Sequence, residues 1–209
     1  RYEREKGVKV SIKQSHGGSS TQARSVIDGL DADVTTLASF LDTDAIRKKG
    51  LIKAGWVDRL PNKSRPYVST IVFVVRQGNP KKVRTISDIA KPSVRIVNRE
   101  KGSGARRLLD KQLNTGGIKP ARVKGYGDEV LSHLDVASRI RAGLADAGIG
   151  VRSVASICGL DFVALQRERY DLVIPKTYYE NLSGLPVLLD TMVSKPFRDE
   201  LEALGGYDT

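Results

Sequence analysis

The chain has 209 residues, 40% of them hydrophobic, and a formal net charge of +11. That is enough apolar material for one large domain or two small ones folded around a buried core, without disulfide staples. One cysteine, Cys158, excludes an internal disulfide and reads as a small buried apolar residue, and no apolar run, TIVFVV at 70–75 included, approaches the roughly 20 residues of a membrane helix.

In chain order, VKVSIK (8–13) alternates with period two and is predicted as a strand. The turn SHGGSS (15–20) leads into TQARSVIDGL, where Ala23, Val26, Ile27 and Leu30 fall at helical spacing. ADVTTLA (32–38) reads as a second buried strand, TDAIRKKGLI as a helix, and the stretch around Pro61, Asn62 and Pro66 as a loop. STIVFVVRQ (69–77) is the most apolar strand and stops at GNP; ISDIAKP is a short helix halted by Pro92. The same unit then recurs: VRIVN (94–98) as strand, REKGSG as turn, and ARRLLDKQLNTGG as a helix with Leu108, Leu109 and Leu113 inward and a Gly116-Gly117 stop. DEVLSHLDVASRIRAGL (128–144) is predicted as one helix, ADAGIGV as a strand, VRSVASICG as a helix, DFVAL and DLVIP as strands, and LPVLLDTMVSKPFRDELEALGG as two helices broken at Pro196.

Strands alternating with helices imply an α/β fold on a parallel sheet, with ligands gathering at the carboxyl ends of strands. Both halves open with strand, Gly/Ser turn, helix. Such a turn offers backbone N–H groups at the positive end of a helix dipole, which can hold a small oxyanion without a lysine. Glycines 17 and 18 let the backbone approach closely, and Ser19, Ser20 and Thr21 add hydroxyls. The same spacing equally fits an ordinary capped turn.

Other chemistries find little support. No G-x-x-x-x-G-K-[ST] occurs, and the dinucleotide pattern fails at Arg107, Val130 and Ser153, so no nucleotide cofactor is expected. His16 and His133 are too far apart in sequence to suggest a metal or Cys/His site; His16 reads as steadying the glycine turn, His133 as a structural helix residue, and Asp128 with Glu129 as dipole-stabilising carboxylates. No catalytic or metal residue is assigned, and the chain is read as a non-enzyme. Lys48, Lys49, Lys81, Lys82, Arg106, Arg107, Arg139 and Arg141 are dispersed, with no zinc-finger, basic-zipper or RNP-like pattern, so nucleic acid is not an expected partner.

The S-H-G-G-S turn, the run RLPNKSRPYVSTIVF and the turn RQGNP closely resemble the first lobe of periplasmic sulfate-binding proteins, the capture subunits of sulfate ABC importers, over about residues 7–92. From about 93 to 209, VRIVNREKGSGARRLLDKQL, GYGDEVLSHLDVASRIRAGLADAGIGV and LDFVALQRERYDLVIPK look like the periplasmic-binding-protein-like domain, of molybdate or LysR-type substrate-binding kind, that follows helix-turn-helix or molybdopterin-related modules. The chain thus resembles two families in its two halves, as divergence or a chimera would produce.

Both resemblances imply the type II periplasmic-binding-protein-like fold, two α/β lobes with a central cleft, here divided as 1–78 plus 166–209 and 79–165. They imply a small inorganic anion of the sulfate or molybdate class, an ABC permease partner, no cofactor, and a periplasmic or extracytoplasmic location, although no signal peptide is visible. The implied ligand-binding residues are Ser15, Gly18, Ser19 and Ser20 of the first turn; Ser103, Gly104, Ala105 and Arg106 of the second; and Tyr126 and Glu129, with His133 and Gly148, along the cleft. The family's second-lobe tryptophan falls near Gly150 and Val151 and has no counterpart, and Trp56 reads as packing. The family's first strand would precede Arg1, which raises the expectation of a dimer formed by strand completion or swapping. The alternatives are a ligand-sensing domain of a transcriptional regulator, or a recombined scaffold without ligand.

Overall fold

The computed structural model describes residues 2–209. The larger sheet is built on β2 (Val68–Val75), with β5 (Ala147–Val151) on one side and β6 (Asp161–Arg169) on the other, both antiparallel to it. Two short strands extend it: β3 (Asn98–Arg99) pairs in parallel with β4 (Glu129–Val130), and Ile96 bridges in parallel to Ala147. β8 (Tyr207–Asp208) adds to the start of β2.

The apolar run in β2 is explained by burial on both faces. Ile71, Phe73 and Val75 meet α5 (Gly104–Thr115) through Leu108, Leu109 and Leu113. Val72 and Val74 meet Val136, Ala137 and Ile140 of α6 (His133–Arg141) and Ala155 of α7 (Arg152–Ile157). The result is a helix, sheet, helix sandwich in which β2 alternates its side chains between two cores. Gly148 permits the close approach of α6: a Cβ there would lie 2.7 Å from Val136 Cγ1 and 2.8 Å from the Val97 carbonyl.

A smaller unit pairs β1 (Thr35–Leu37) antiparallel with β7 (Asp171–Val173). Ala23 of α2 (Ser19–Ile27), Leu37, and Ile46 of α3 (Phe40–Lys48) form its core. Buried Trp56 stacks on Phe40 at 6.0 Å. β2 and β6 run from the large sheet toward this unit, and the register between them slips at Ile71/Val72, leaving Leu165 as the extra residue. Three helices close the chain: α8 (Lys176–Asn181), α9 (Leu185–Val193) and α10 (Lys195–Ala203). The remaining helical turns are α1 (Tyr2–Lys6) and α4 (Pro61–Ser64).

Three expectations are corrected. Residues 8–13 form no strand: the segment has no sheet neighbour, and Val8, Val10 and Ile12 are 45%, 45% and 73% exposed. Alternation describes a face, and a strand also needs an edge to pair with. Residues 128–144 are not one helix, because Glu129 and Val130 pair with β3 and Ser132 starts α6 by accepting the Asp135 amide at 3.0 Å. Nor is the sheet parallel throughout, since its central strand opposes its neighbours; β2 returns to β3 through a long loop instead of a crossover helix.

Candidate functional site at the meeting of two helix starts

The two glycine-rich turns touch. Gly18 is the N-cap of α2, in extended conformation at φ −60° and ψ 143°, and Ser103 is the N-cap of α5. A Cβ on Gly18 would lie 3.4 Å from Ser103 Cα and 3.6 Å from the Gly102 carbonyl oxygen. The backbone helical hydrogen bonds begin with Gln22 N–H to Gly18 O at 3.0 Å in α2 and Arg107 N–H to Ser103 O at 3.1 Å in α5. The amides of Ser19, Ser20 and Thr21, and of Gly104 and Ala105, precede those bonds and have no acceptor within their helices. Two positive dipole ends therefore converge on one point.

The hydroxyls there are mostly engaged. Ser103 Oγ donates to Glu100 O at 3.0 Å and accepts from Arg106 N–H at 3.2 Å, which fixes the start of α5. Ser19 Oγ accepts from Ala38 N–H at 2.9 Å, and Ser20 Oγ donates to Asp42 at 3.0 Å while accepting from Arg107. What remains to face an anion is the backbone.

Three carboxylates surround this point. Asp42 on α3 receives both Arg107 nitrogens at 2.7 and 2.6 Å, a bidentate bridge from the small unit to α5. Glu100, 3.5 Å from the Gly18 Cβ position, is gripped by Arg99 at 2.8 and 2.9 Å; Arg99 also donates to Leu131 O at 2.9 Å. Glu168 on β6 approaches within 3.5 Å of a Cβ placed on Gly104, and it has no hydrogen bond or ion pair among the described residues. Burial pushes its carboxyl up to about 7; Arg107 opposes the rise and Asp42 adds to it.

Two further polar atoms stand idle nearby. Ser69, only 1% exposed, pairs directly across the ladder from Glu168, yet its Oγ has no partner among the described residues. Directly opposed residues of an antiparallel pair share a face with Cβ atoms about 5 Å apart, so Ser69 and Glu168 look toward α5 together. His133 Nδ1 is shut from solvent without a partner, 3.8 Å from a Cβ placed on Gly150. Burial, reinforced by Arg99, lowers His133 to about 4.

Of the residues expected from sequence, Gly18, Ser19, Ser20, Ser103, Gly104 and Ala105 come together at this junction. Ser15 lies outside it, its Oγ accepting from the Gln22 side-chain Nε2 at 3.2 Å, and His16 contacts Gln14 at 3.3 Å. Arg106, Tyr126 and Glu129 gather beside α5 instead: Arg106 donates to Glu129 at 2.7 Å and to Asp110 at 3.1 Å, lies 4.3 Å over the Tyr126 ring, and Tyr126 donates to Asp110 at 2.6 Å. Asp42, Arg107, Arg99, Ser69 and Glu168 were missed. Nothing in local spacing ties Asp42 to Arg107, 65 positions apart.

The fold is thus an α/β sandwich with a smaller unit joined through paired strands, and two helix starts meeting beside that junction. The PBP superfamily domain model matches residues 65–190, and the chain belongs to that superfamily. It is 43% identical over 135 residues to the uncharacterized protein YvgK of Bacillus subtilis (strain 168), covering 65% of this chain and 43% of that protein. It is 50% identical over 107 residues to the sulfate-binding protein of Salmonella typhimurium (strain LT2), covering 50% of this chain and 32% of that one. The matched part thus spans less than half the length of either relative. Among solved structures, the sulfate-binding protein SubI from Mycobacterium tuberculosis H37Rv aligns over 92% of this chain and 74% of its own with a TM-score of 0.68 at 22% identity, a likeness of fold. The type II two-lobed expectation agrees with these findings.

Proposed function

We propose that this chain is the anion-binding part of a non-enzymatic solute-binding protein that captures a small tetrahedral oxyanion, of the sulfate or molybdate class, for an ABC importer outside the cytoplasm. The observation that carries the reading is the contact of the α2 and α5 starts, 3.4 Å from the Gly18 Cβ position to Ser103 Cα, with five first-turn amides left without helical acceptors. The sequence likeness to a sulfate-binding protein supports the class of ligand. The two lobes are the small unit of α2, β1, α3 and β7 and the sandwich built on β2, and they close where β2 and β6 leave the large sheet toward the small unit. Gly18, Ser19, Ser20, Gly104 and Ala105 contact the anion; Ser103 caps α5, and Arg106, Tyr126 and Glu129 brace that helix from the far side.

Calorimetric titration with sulfate, molybdate, tungstate and phosphate between pH 5 and 8 tests this. At least one is expected to bind and raise the melting temperature. Gly18→Asp is expected to abolish binding while keeping the fold, because Asp is a good N-cap and its carboxylate would occupy the junction. Absence of heat and of a melting shift with all four anions contradicts the reading.

A further inference from the structure

The three carboxylates near the junction are not electrostatically alike. Asp42 is neutralised by Arg107 and Glu100 by Arg99. Glu168 alone is left without a donor among the described residues, although it lies beside the amide end of α5, where an anion would sit. The charged and titratable groups facing it are Arg107 from α5, Asp42 from α3 and Tyr170 just past the end of its own strand. Arg107 already gives its fork to Asp42, so it offers Glu168 only distant attraction. Across the ladder, the buried Ser69 Oγ is idle. An unpaired carboxylate and an unpaired hydroxyl on one face, beside free amides, form an incomplete set of hydrogen-bonding groups.

A fully ionised oxyanion entering this point meets amides that attract it and a carboxylate that repels it. Two like charges in contact in a poorly hydrated site cannot both persist. A proton on Glu168 removes the repulsion and turns the carboxyl from an acceptor into a donor. Resting on the oxyanion reading above, we propose that Glu168 determines which protonation state the cleft accepts: a dianion such as sulfate binds together with one proton from solvent, which Glu168 holds and donates toward the ligand, with Ser69 Oγ as a second donor. The raised carboxyl, about 7, brings this uptake into the physiological range. An oxyanion that still carries its own proton, such as hydrogen phosphate, can instead donate to an ionised Glu168 and needs no proton from solvent.

Sulfate titrations at pH 5, 6, 7, 8 and 9, repeated in buffers of different ionisation enthalpy, read both affinity and protons taken up. Native protein is expected to bind with constant affinity up to pH 6, then to lose about tenfold per pH unit above 7 while taking up about one proton per sulfate. Glu168→Gln is expected to bind sulfate with no pH slope and, at pH 8, at least tenfold more tightly than the native chain. Sulfate binding of constant affinity from pH 5 to 9 with no proton uptake overturns the role of Glu168 while leaving the anion site standing. Absence of sulfate binding at pH 5 in both native and variant chains, with phosphate silent as well, defeats the anion site itself. Should the variant fail to fold, the native pH series and proton count decide the matter alone.

Discussion

At the scale of single residues, the junction of α2 and α5 sets two carboxylates answered by arginine beside one that has no donor among the described residues. The cost of an unpaired carboxylate in a partly buried place is visible in Glu168 itself: its folded-state value of about 7 exceeds the ordinary 4.5. A group raised in this way contributes stability that is complete below pH 4.5 and is lost as pH rises through 7. Glu168→Gln is therefore expected to change stability by less than about 1 kcal/mol at pH 5 and to raise it at pH 8 by up to roughly 3 kcal/mol, less whatever solvent reaches the carboxyl. Denaturant melts of both proteins at the two pH values check this, and equal differences at both would contradict it. His133 acts in the opposite sense: held at about 4, it contributes stability present above 6.5 and lost as pH falls through 4, which is why the comparison must be between variants at a fixed pH. The glycine-serine turns were readable in the sequence because glycine followed by a hydroxyl marks a helix start. Glu168 was not, because the period-two pattern of a strand says which face a side chain takes and nothing of what lies opposite.

At the scale of elements, long apolar periodic segments were legible and short paired ones were not. α5 was marked by three leucines and a Gly stop, and β2 by the apolar run from Ile71 to Val75. β3, β4 and β8, of two residues each, exist only because of their neighbours, so no local signal specifies them. The reverse holds for 8–13, where alternation is strong and a partner edge is lacking among the described residues. Glycine matters where backbones cross. Gly125 sits at φ +85°, and a Cβ there would lie 2.0 Å from the Ile96 carbonyl oxygen. That carbonyl belongs to the segment carrying the Ile96–Ala147 bridge, so the clash falls on the link between β5 and the β3–β4 pair. Gly125→Ala is expected to destabilise the protein by several kcal/mol, from strain plus displaced backbone. Thermal unfolding within a degree of the parent would show that the loop gives way freely and that this account of it is wrong.

At the scale of the whole molecule, the accessible surface is 12503 Å², against about 9600 Å² for a compact protein of this mass. The excess fits two units that share little core: the Ala23, Leu37 and Ile46 cluster is separate from the two layers about β2. What joins them is the strand pair β2–β6, the Arg107–Asp42 bridge and the approach of Gly18 to Ser103. Under the proposed reading, an anion held at that seam would tighten a region where the units meet, which is how a small ligand would alter the relation of two lobes. The most direct measurement is a backbone amide NMR titration with sulfate at pH 6, where Glu168 is largely protonated. Saturable shifts concentrated at Ser19, Ser20, Thr21, Gly104 and Ala105 are expected. Shifts that saturate elsewhere, or amides at the two helix starts that stay unmoved while sulfate binds, would contradict the account.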